Sequence, residues 1–449
     1  MIAELWFNWE IDTWPLVMAS LVGFACALLG TIFMLRRAAL IGDAVSHSVL
    51  PGIAVGLLLA GQFTHDDEAF TVSWSMLFLL GGALVAGLLS TAVIEALHRF
   101  TRIKEDTALG AVFPAFFAAG VILVNTLARD AHFDENCIFY GSLEVISSFS
   151  QVIPTLLCAI LVVLLYLCAY KELLASSFDP QYCATIGLRT RAIEYSLIAI
   201  LTATVVCAFE AVGAVLVIAF LVIPPATAYL LSDRLHRVLV IAAGLGTAAG
   251  ALGCWMTLAL EGVGFETARA PSAALVAGAF FVLAFLFAPE RGLIAQIRTR
   301  RGLRERILDE NLLAAVYRVS RAEEGQSRGV ALEGVREFLR YPISRLKQSA
   351  GRAMRRGELV HSADQSYALS EAGTLRVEQL VRAHRLWEIY MTSEMGAAPD
   401  HVHDAADEIE HFLQPGLVDD LDAQLDRPAT DPHGKTIPTG RRDSTNEPN

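Results

Sequence analysis

Ile41 to Leu59 reads IGDAVSHSVLPGIAVGLLL. An acid and an imidazole, Asp43 and His47, stand four residues apart at the mouth of this otherwise apolar run. In a helix that spacing stacks both side chains on one face. Ionisable groups at membrane depth are costly, and where they occur they mark ion or substrate pathways. A carboxylate beside an imidazole is a donor pair suited to a divalent transition metal. The structural alternative for the same residues is an N-cap at Asp43 and a satisfied interior histidine at His47.

Working outward, the chain of 449 residues is 54% hydrophobic and 18% charged, too apolar for an ordinary soluble protein. Nearly all of that apolarity lies before Pro289, which divides a membrane part from a soluble part. Runs of about 20 residues suffice to cross a bilayer. Nine candidates run roughly over residues 13–35, 40–60, 73–97, 107–127, 151–170, 194–209, 212–231, 238–260 and 271–288. The pair around Glu210 is tight, so one segment is expected to be broken or re-entrant, giving a count between eight and ten. Glu210 is an intramembrane carboxylate and a further candidate for the metal path, or else a residue of a helix turn near the outer surface. Pro224-Pro225 is expected to kink or break its helix. The net charge of −12 averages unlike regions. Residues 291–360 carry sixteen Arg/Lys against eight Asp/Glu, an excess of eight, whereas the stretch from Asp400 is acidic.

Basic loop residues set the orientation. Arg36, Arg37, Arg99, Arg102, Lys104, Lys171, Arg189, Arg191, Arg234, Arg237 and the run from Arg291 to Arg306 share one side, which is therefore cytoplasmic. The opposite loops are acidic. His65, Asp66, Asp67, His132, Asp134 and Glu135 in them either gather metal at the entrance or are solvated loop residues. All seven cysteines fall in the first part without a C-x-x-C pair, and read as small membrane-buried residues, not as a disulfide framework or zinc site. The N-terminus lacks a basic n-region, so the first apolar helix is expected to stay in the mature protein.

The run GDAVSHSVLPG resembles the signature of the membrane permeases of zinc, manganese and iron ABC importers, and VGAVLVIAFLVIPPATA at 212–228 resembles a second stretch of that family. The resemblance implies that Asp43 and His47 coordinate or gate the metal in the translocation path. It also implies that the cytoplasmic stretch following Asp179-Pro180 docks into a separate ATPase, through Phe178, Asp179, Pro180, Gly187 and Leu188. A plain interhelical loop is the alternative there. The nearest approach to a phosphate loop is Gly434-Lys435-Thr436, where the glycine required five positions earlier is Ala429. ATP hydrolysis is thus assigned to another subunit, and delivery of the ion to an extracytoplasmic metal-binding protein.

Beyond the membrane part, short amphipathic helices are expected at 310–321, 332–339 and 344–356, followed by a small hairpin in ELVHSADQSYALSEAG. Three helices and a hairpin make a winged helix-turn-helix. Its third helix is rich in Arg and Lys, and Ser344, Arg345, Lys347, Gln348 and Arg352 are the candidates for reading a duplex. A solvated or membrane-facing basic helix is the alternative.

Three further stretches, RAHRLWE, VHDAADEIEH and LDRPATDPHGKTIP, resemble the diphtheria-toxin-repressor-like family of iron- and manganese-dependent repressors, over residues 310 to about 438. The resemblance implies one metal site of His384, Glu388 and His403. It implies a second from Asp407, Glu410 and His411, with a first-helix ligand whose position falls on Asn311, a weak donor. Oxygen and nitrogen donors without thiolate favour manganese or iron(II), with zinc not excluded by geometry.

The chain therefore reads as an all-α polytopic membrane protein followed by a soluble winged helix-turn-helix and a helical metal-binding and dimerisation domain. Its parts are a permease domain (1–290), a basic cytoplasmic linker (291–309), the winged helix (310–372), the metal-binding helices (373–438) and a disordered tail (439–449). The function expected is a permease subunit in a bacterial inner membrane that imports manganese or iron(II) by alternating access, fused to a metal-responsive DNA-binding regulator. Partners would be the ATPase, the external binding protein, a second permease copy or related permease, operator DNA and membrane lipid. The alternative is a zinc importer whose C-terminal domain senses metal and throttles transport without touching DNA.

Overall fold

The computed structural model describes residues 9–36, 38–63, 71–127, 143–265, 267–322, 329–362 and 366–438. The acidic loops read as a metal entrance, and the tail from 439, lie outside the described residues, as do the side chains of Asp43, Pro180 and Glu210. The chain divides into two compact units, Met1–Gln296 and Ile297–Asn449.

The first unit is helical: α1 (Trp9–Leu35), α2 (Ala39–Ser48), α3 (Leu50–Phe63), α4 (Thr71–Phe100), α5 (Glu105–Leu127), α6 (Phe149–Phe178), α7 (Pro180–Thr185), α8 (Thr190–Leu231), α9 (Leu235–Glu261) and α10 (Arg269–Phe287). Seven stretches among the described residues are long and apolar enough to cross a membrane; Val215–Leu231 and α3 are shorter apolar helices. The run read as one segment over 40–60 is two helices divided at Val49. The tight pair around Glu210 is a single helix, α8, interrupted at Gly213 with φ +75° and ψ 164°. The non-helical dihedrals in α8 fall at Gly213, and Pro224-Pro225 keep helical ones. Proline's fixed φ fits a helix, whereas a positive φ at that ψ is open essentially to glycine alone.

Lipid offers no hydrophobic drive between helices, so the unit is held by close packing of small residues. A Cβ on Gly23 or Gly246 would sit 2.2 Å from the other's carbonyl oxygen, which brings α1 against α9. A buried ion pair, Arg269 Nη2 to Asp12 Oδ1 at 2.5 Å, joins α1 to α10 near the ends expected outside the cell.

The second unit is built on α11 (Leu293–Ala322), α12 (Leu332–Leu339), α13 (Ile343–Arg355), the hairpin β1 (Leu359–His361) and β2 (Tyr367–Leu369), then α14 (Glu371–Ser393), α15 (His403–Ile409) and α16 (Pro415–Gln424). The stretch read as a linker continues as helix from Leu293 without a break into the first winged-helix helix. Strands β1 and β2 pair antiparallel, Val360 opposite Ala368, and a bridge from Val330 to Tyr367 adds a third edge. Leu346, Ala350 and Ala353 recur at helical spacing along α13 and are fully buried, against a core that includes Leu312, Leu313, Val335, Leu359 and Val377. A smaller core of Leu386, Val418, Leu421 and Ile437 holds α14 to α16.

Candidate functional site

His384 and Glu388 lie one turn apart on α14, which stacks them on one face. His403 opens α15, with Asp407 one turn on and Glu410 and His411 just past its end. The two elements meet so that His384 faces donors on both sides. Its Nε2 lies 3.2 Å from Glu388 Oε1 and 3.1 Å from His403 Nδ1, and its Nδ1 lies 2.8 Å from Glu410 Oε2 and 3.3 Å from Asp407 Oδ1. His403 Nδ1 is 2.8 Å from Glu388 Oε1. Two groups, His384 with Glu388 and His403, and His384 with Asp407 and Glu410, each place their ligand atoms within 4.8 Å of one another. His384, Glu388, Glu410 and His411 are buried.

Burying that many carboxylates is costly unless cations or protons compensate. Burial alone would depress the His384 imidazole, but the hydrogen bond and charge of Glu410, backed by Glu388 and Asp407, outweigh it and hold the ring above its ordinary value. A divalent ion supplies the same positive charge with directed bonds and displaces such protons. The donors are imidazole and carboxylate only, a set that fits manganese, iron(II) or zinc. A neutral imidazole has one bare nitrogen, so His384 can ligate in only one of the two groups at a time.

Two residues near the cluster escaped sequence reading. Glu310 on α11 receives His411 Nδ1 on its Oε2 at 2.7 Å, and Arg306 (3.0 Å) and Arg376 (2.6 Å) on its Oε1. Burial pushes its carboxyl up, yet those hydrogen bonds prevail and bring it down to about 2. Asn311, the residue expected to reach the cluster, is partly buried, and the α11 residue that meets His411 is its neighbour. Helical phase does not single it out, since residues 308–310 and 312–317 are all buried; a charge at Glu310 among them must have a partner, and the sequence does not say which. His433, whose Nε2 lies 4.0 Å from Glu388 Oε1, is brought in by a turn in which Asp431 Oδ1 accepts the His433 and Lys435 amides.

On α13, Ser344, Arg345, Lys347 and Gln348 are exposed, as a surface for a duplex must be. Arg352 is otherwise engaged. Its guanidinium grips the carboxylate of Asp309, with Nη2 at 2.7 Å from Oδ1 and Nε at 3.1 Å from Oδ2. Asp309 also accepts Ser349 Oγ at 2.6 Å and Arg356 Nη2 at 3.0 Å. Arg352 therefore ties α13 to α11, with its side chain half-buried.

In the membrane unit, His47 sits partly buried near the end of α2, its ring 5.8 Å from that of Phe113 and 5.3 Å from that of Phe117 on α5. The next residue, Ser48, places its hydroxyl 2.9 Å from that of Ser90 on α4. Beside α2 lies a cavity of about 150 Å³ whose polar lining includes Ser48, Ser90, Glu95, His98 and Glu194. Asp43 and Glu210 lie on the helical backbone of α2 and α8. The stretch expected to meet an ATPase forms the short helix α7. Asp179 caps it by accepting the Tyr182 amide at 2.8 Å, Pro180 occupies its first turn, and Gly187 beyond it takes φ +84°. Leu188 closes the turn onto Cys183 O at 3.0 Å. Phe178, Tyr182 and Ile186 are exposed apolar side chains around α7.

A bundle of membrane-length helices joined to a winged helix with a carboxylate and imidazole cluster defines a polytopic membrane permease with a metal-binding appendage. Residues 9–288 match the ABC 3 transport family, and the chain belongs to that family. Residues 370–439 match the iron dependent repressor, metal binding and dimerisation domain. A manganese transport system membrane protein, MntC, of Listeria innocua is 36% identical over 279 residues, 62% of this chain and 91% of that protein. A probable metal transport system membrane protein of Chlamydia trachomatis is 29% identical over 450 residues, covering 95% of both chains. Among solved structures, PsaBC from Streptococcus pneumoniae in complex with Fab matches with TM-score 0.53 and 30% identity, over 65% of this chain and 98% of that one.

Proposed function

We propose that the chain is the permease subunit of an ABC importer that moves manganese or iron(II) into a bacterial cytoplasm, and that its second unit is a metal-responsive regulator. An extracytoplasmic binding protein delivers the ion, and Asp43 and His47 bind it in the path. A separate ATPase, docked at α7, opens the inner face while the outer one closes; a second permease copy completes the pore. The exposed apolar residues around a capped helix support the docking surface, because isolated six-residue helices do not persist without support. Positive loop charge supports a cytoplasmic second unit.

The observation that carries the regulatory half is the shared cluster at His384, whose buried carboxylates need positive charge. Metal held there would fix α14 and α15 and, through them, the winged helix, whose exposed Ser344, Arg345, Lys347 and Gln348 then meet DNA. One observation favours the rival reading of an internal sensor without DNA: Arg352 and Arg356 are spent on Asp309, which leaves α13 less basic than its sequence.

The test reconstitutes the chain with its ATPase and binding protein in liposomes and follows manganese, iron(II) and zinc uptake, with duplex binding measured in parallel. Uptake of manganese or iron that disappears in Asp43→Ala with His47→Ala supports the path. Uptake that survives the double substitution refutes it. Metal-dependent, salt-sensitive duplex binding supports the regulator, and its absence with altered ATPase turnover in His384→Ala supports the sensor.

A further inference from the structure

His411 is held in an unusual state for a residue at the end of a short helix. Its side chain is only 2% exposed, and its Nδ1 is committed to Glu310 at 2.7 Å. Its Nε2 is buried with no hydrogen-bond partner and lies 3.9 Å from Glu410 Oε1. A buried polar atom without a partner is costly, and such atoms persist where a ligand completes them. The distance to Glu410 is too long for a hydrogen bond, and is compatible with two donors to one ion at about 2.1 Å each.

Glu310 is the reason the bare nitrogen is Nε2. A carboxylate accepts only, so it holds the proton on Nδ1 and leaves the Nε2 lone pair facing Glu410. Its own position is over-determined by Arg306 and Arg376, which fill the other oxygen. We infer that Glu310, contributed by α11 of the winged helix, is a positioning residue of the metal centre: it fixes the tautomer of His411 and aims Nε2 at an ion shared with Glu410. A carboxylate behind a ligating imidazole also raises the basicity of the ligand nitrogen, and loss of such a partner weakens metal binding by about 10- to 100-fold. The inference rests on the metal-binding reading above and adds a residue to it from outside the metal-binding helices.

The test uses the full chain in detergent, with manganese titrated by the EPR signal of the free ion and histidine ¹⁵N shifts recorded without metal. Glu310→Ala is expected to weaken one class of site by about 10- to 100-fold and to let His411 populate both tautomers. Glu310→Gln keeps a carbonyl acceptor for Nδ1–H, so the tautomer is retained and the loss stays under about tenfold, a rescue that mere packing would not give. If Glu310→Ala does not fold, the Gln variant alone decides. Loss in Glu310→Gln as deep as in His411→Ala overturns the inference, as does wild-type affinity in Glu310→Ala beside lost affinity in His411→Ala. If His411→Ala itself binds manganese like the wild type, the metal-binding reading of this group fails, and the inference with it.

Discussion

Removing the Asp309 carboxylate should loosen α13 by an amount the structure allows to be worked out. The side chain is 3% exposed and accepts from Ser349, from Nε and Nη2 of Arg352 and from Arg356. Breaking a fully buried pair from one side typically destabilises by about 3–5 kcal/mol. Here the orphaned cations can recover some water, since the Arg352 and Arg356 side chains are 22% and 46% exposed. The Ser349 hydroxyl, fully buried, cannot. Arg356 keeps Glu358 at 2.8 Å and Arg352 keeps only the more distant Glu305 at 3.7 Å, so losing the buried acceptor of Ser349 and Arg352 should destabilise by roughly 2–3 kcal/mol in Asp309→Ala. At about 1.4 kcal/mol per tenfold, amides of α13 that exchange through opening of that helix should exchange roughly 30- to 150-fold faster. Hydrogen exchange read by mass spectrometry on the full chain gives this peptide by peptide, with the membrane helices as internal control. Asp309→Asn, which keeps an acceptor for Ser349, should fall in between. An increase below about threefold in Asp309→Ala would show that the α11–α13 tie is dispensable and that Arg352 does not act as a structural clamp.

Three further outcomes are expected. His384→Ala should lower manganese occupancy of both ligand groups, whereas His403→Ala and Asp407→Ala should each affect one; equilibrium dialysis of the three variants checks this, and equal effects would sink the shared-residue geometry. If the second unit binds duplex DNA, Arg345→Ala and Lys347→Ala should each reduce the slope of log affinity against log salt by about 1, while Arg352→Ala lowers stability and leaves that slope alone. Gly213→Ala forces a side chain into a dihedral region that glycine alone occupies readily, which should destabilise α8 by about 1–3 kcal/mol; an unchanged melting temperature in detergent would mean that the break can move.

Which parts of this fold could be read in advance follows from how local each signal is. Membrane segments announce themselves by composition, so all nine apolar runs recur as helix, and His384 with Glu388 needed only the i, i+4 spacing of one helix. The break in α8 was legible as the narrow gap between two apolar runs at Glu210, three residues from Gly213, whereas the residue that makes it is one of 33 glycines and Pro224-Pro225, the stronger local signal, keeps helical dihedrals. Arg352 and Arg355 look alike in sequence, and only the packing of α13 on α11 turns the first toward Asp309 and leaves the second exposed. Glu310 and His411 stand 101 residues apart, beyond any periodicity. Yet these two long-range contacts have a common origin. Asp309 and Glu310 are adjacent on α11, and adjacent helical residues point about 100° apart. One carboxylate therefore reaches the helix that would read DNA, and the other the histidine at the edge of the metal cluster. A single turn of α11 thus touches both, and if His411 takes up an ion as proposed, Glu310 and Asp309 are the adjacent residues through which a shift there would reach the clamp on α13.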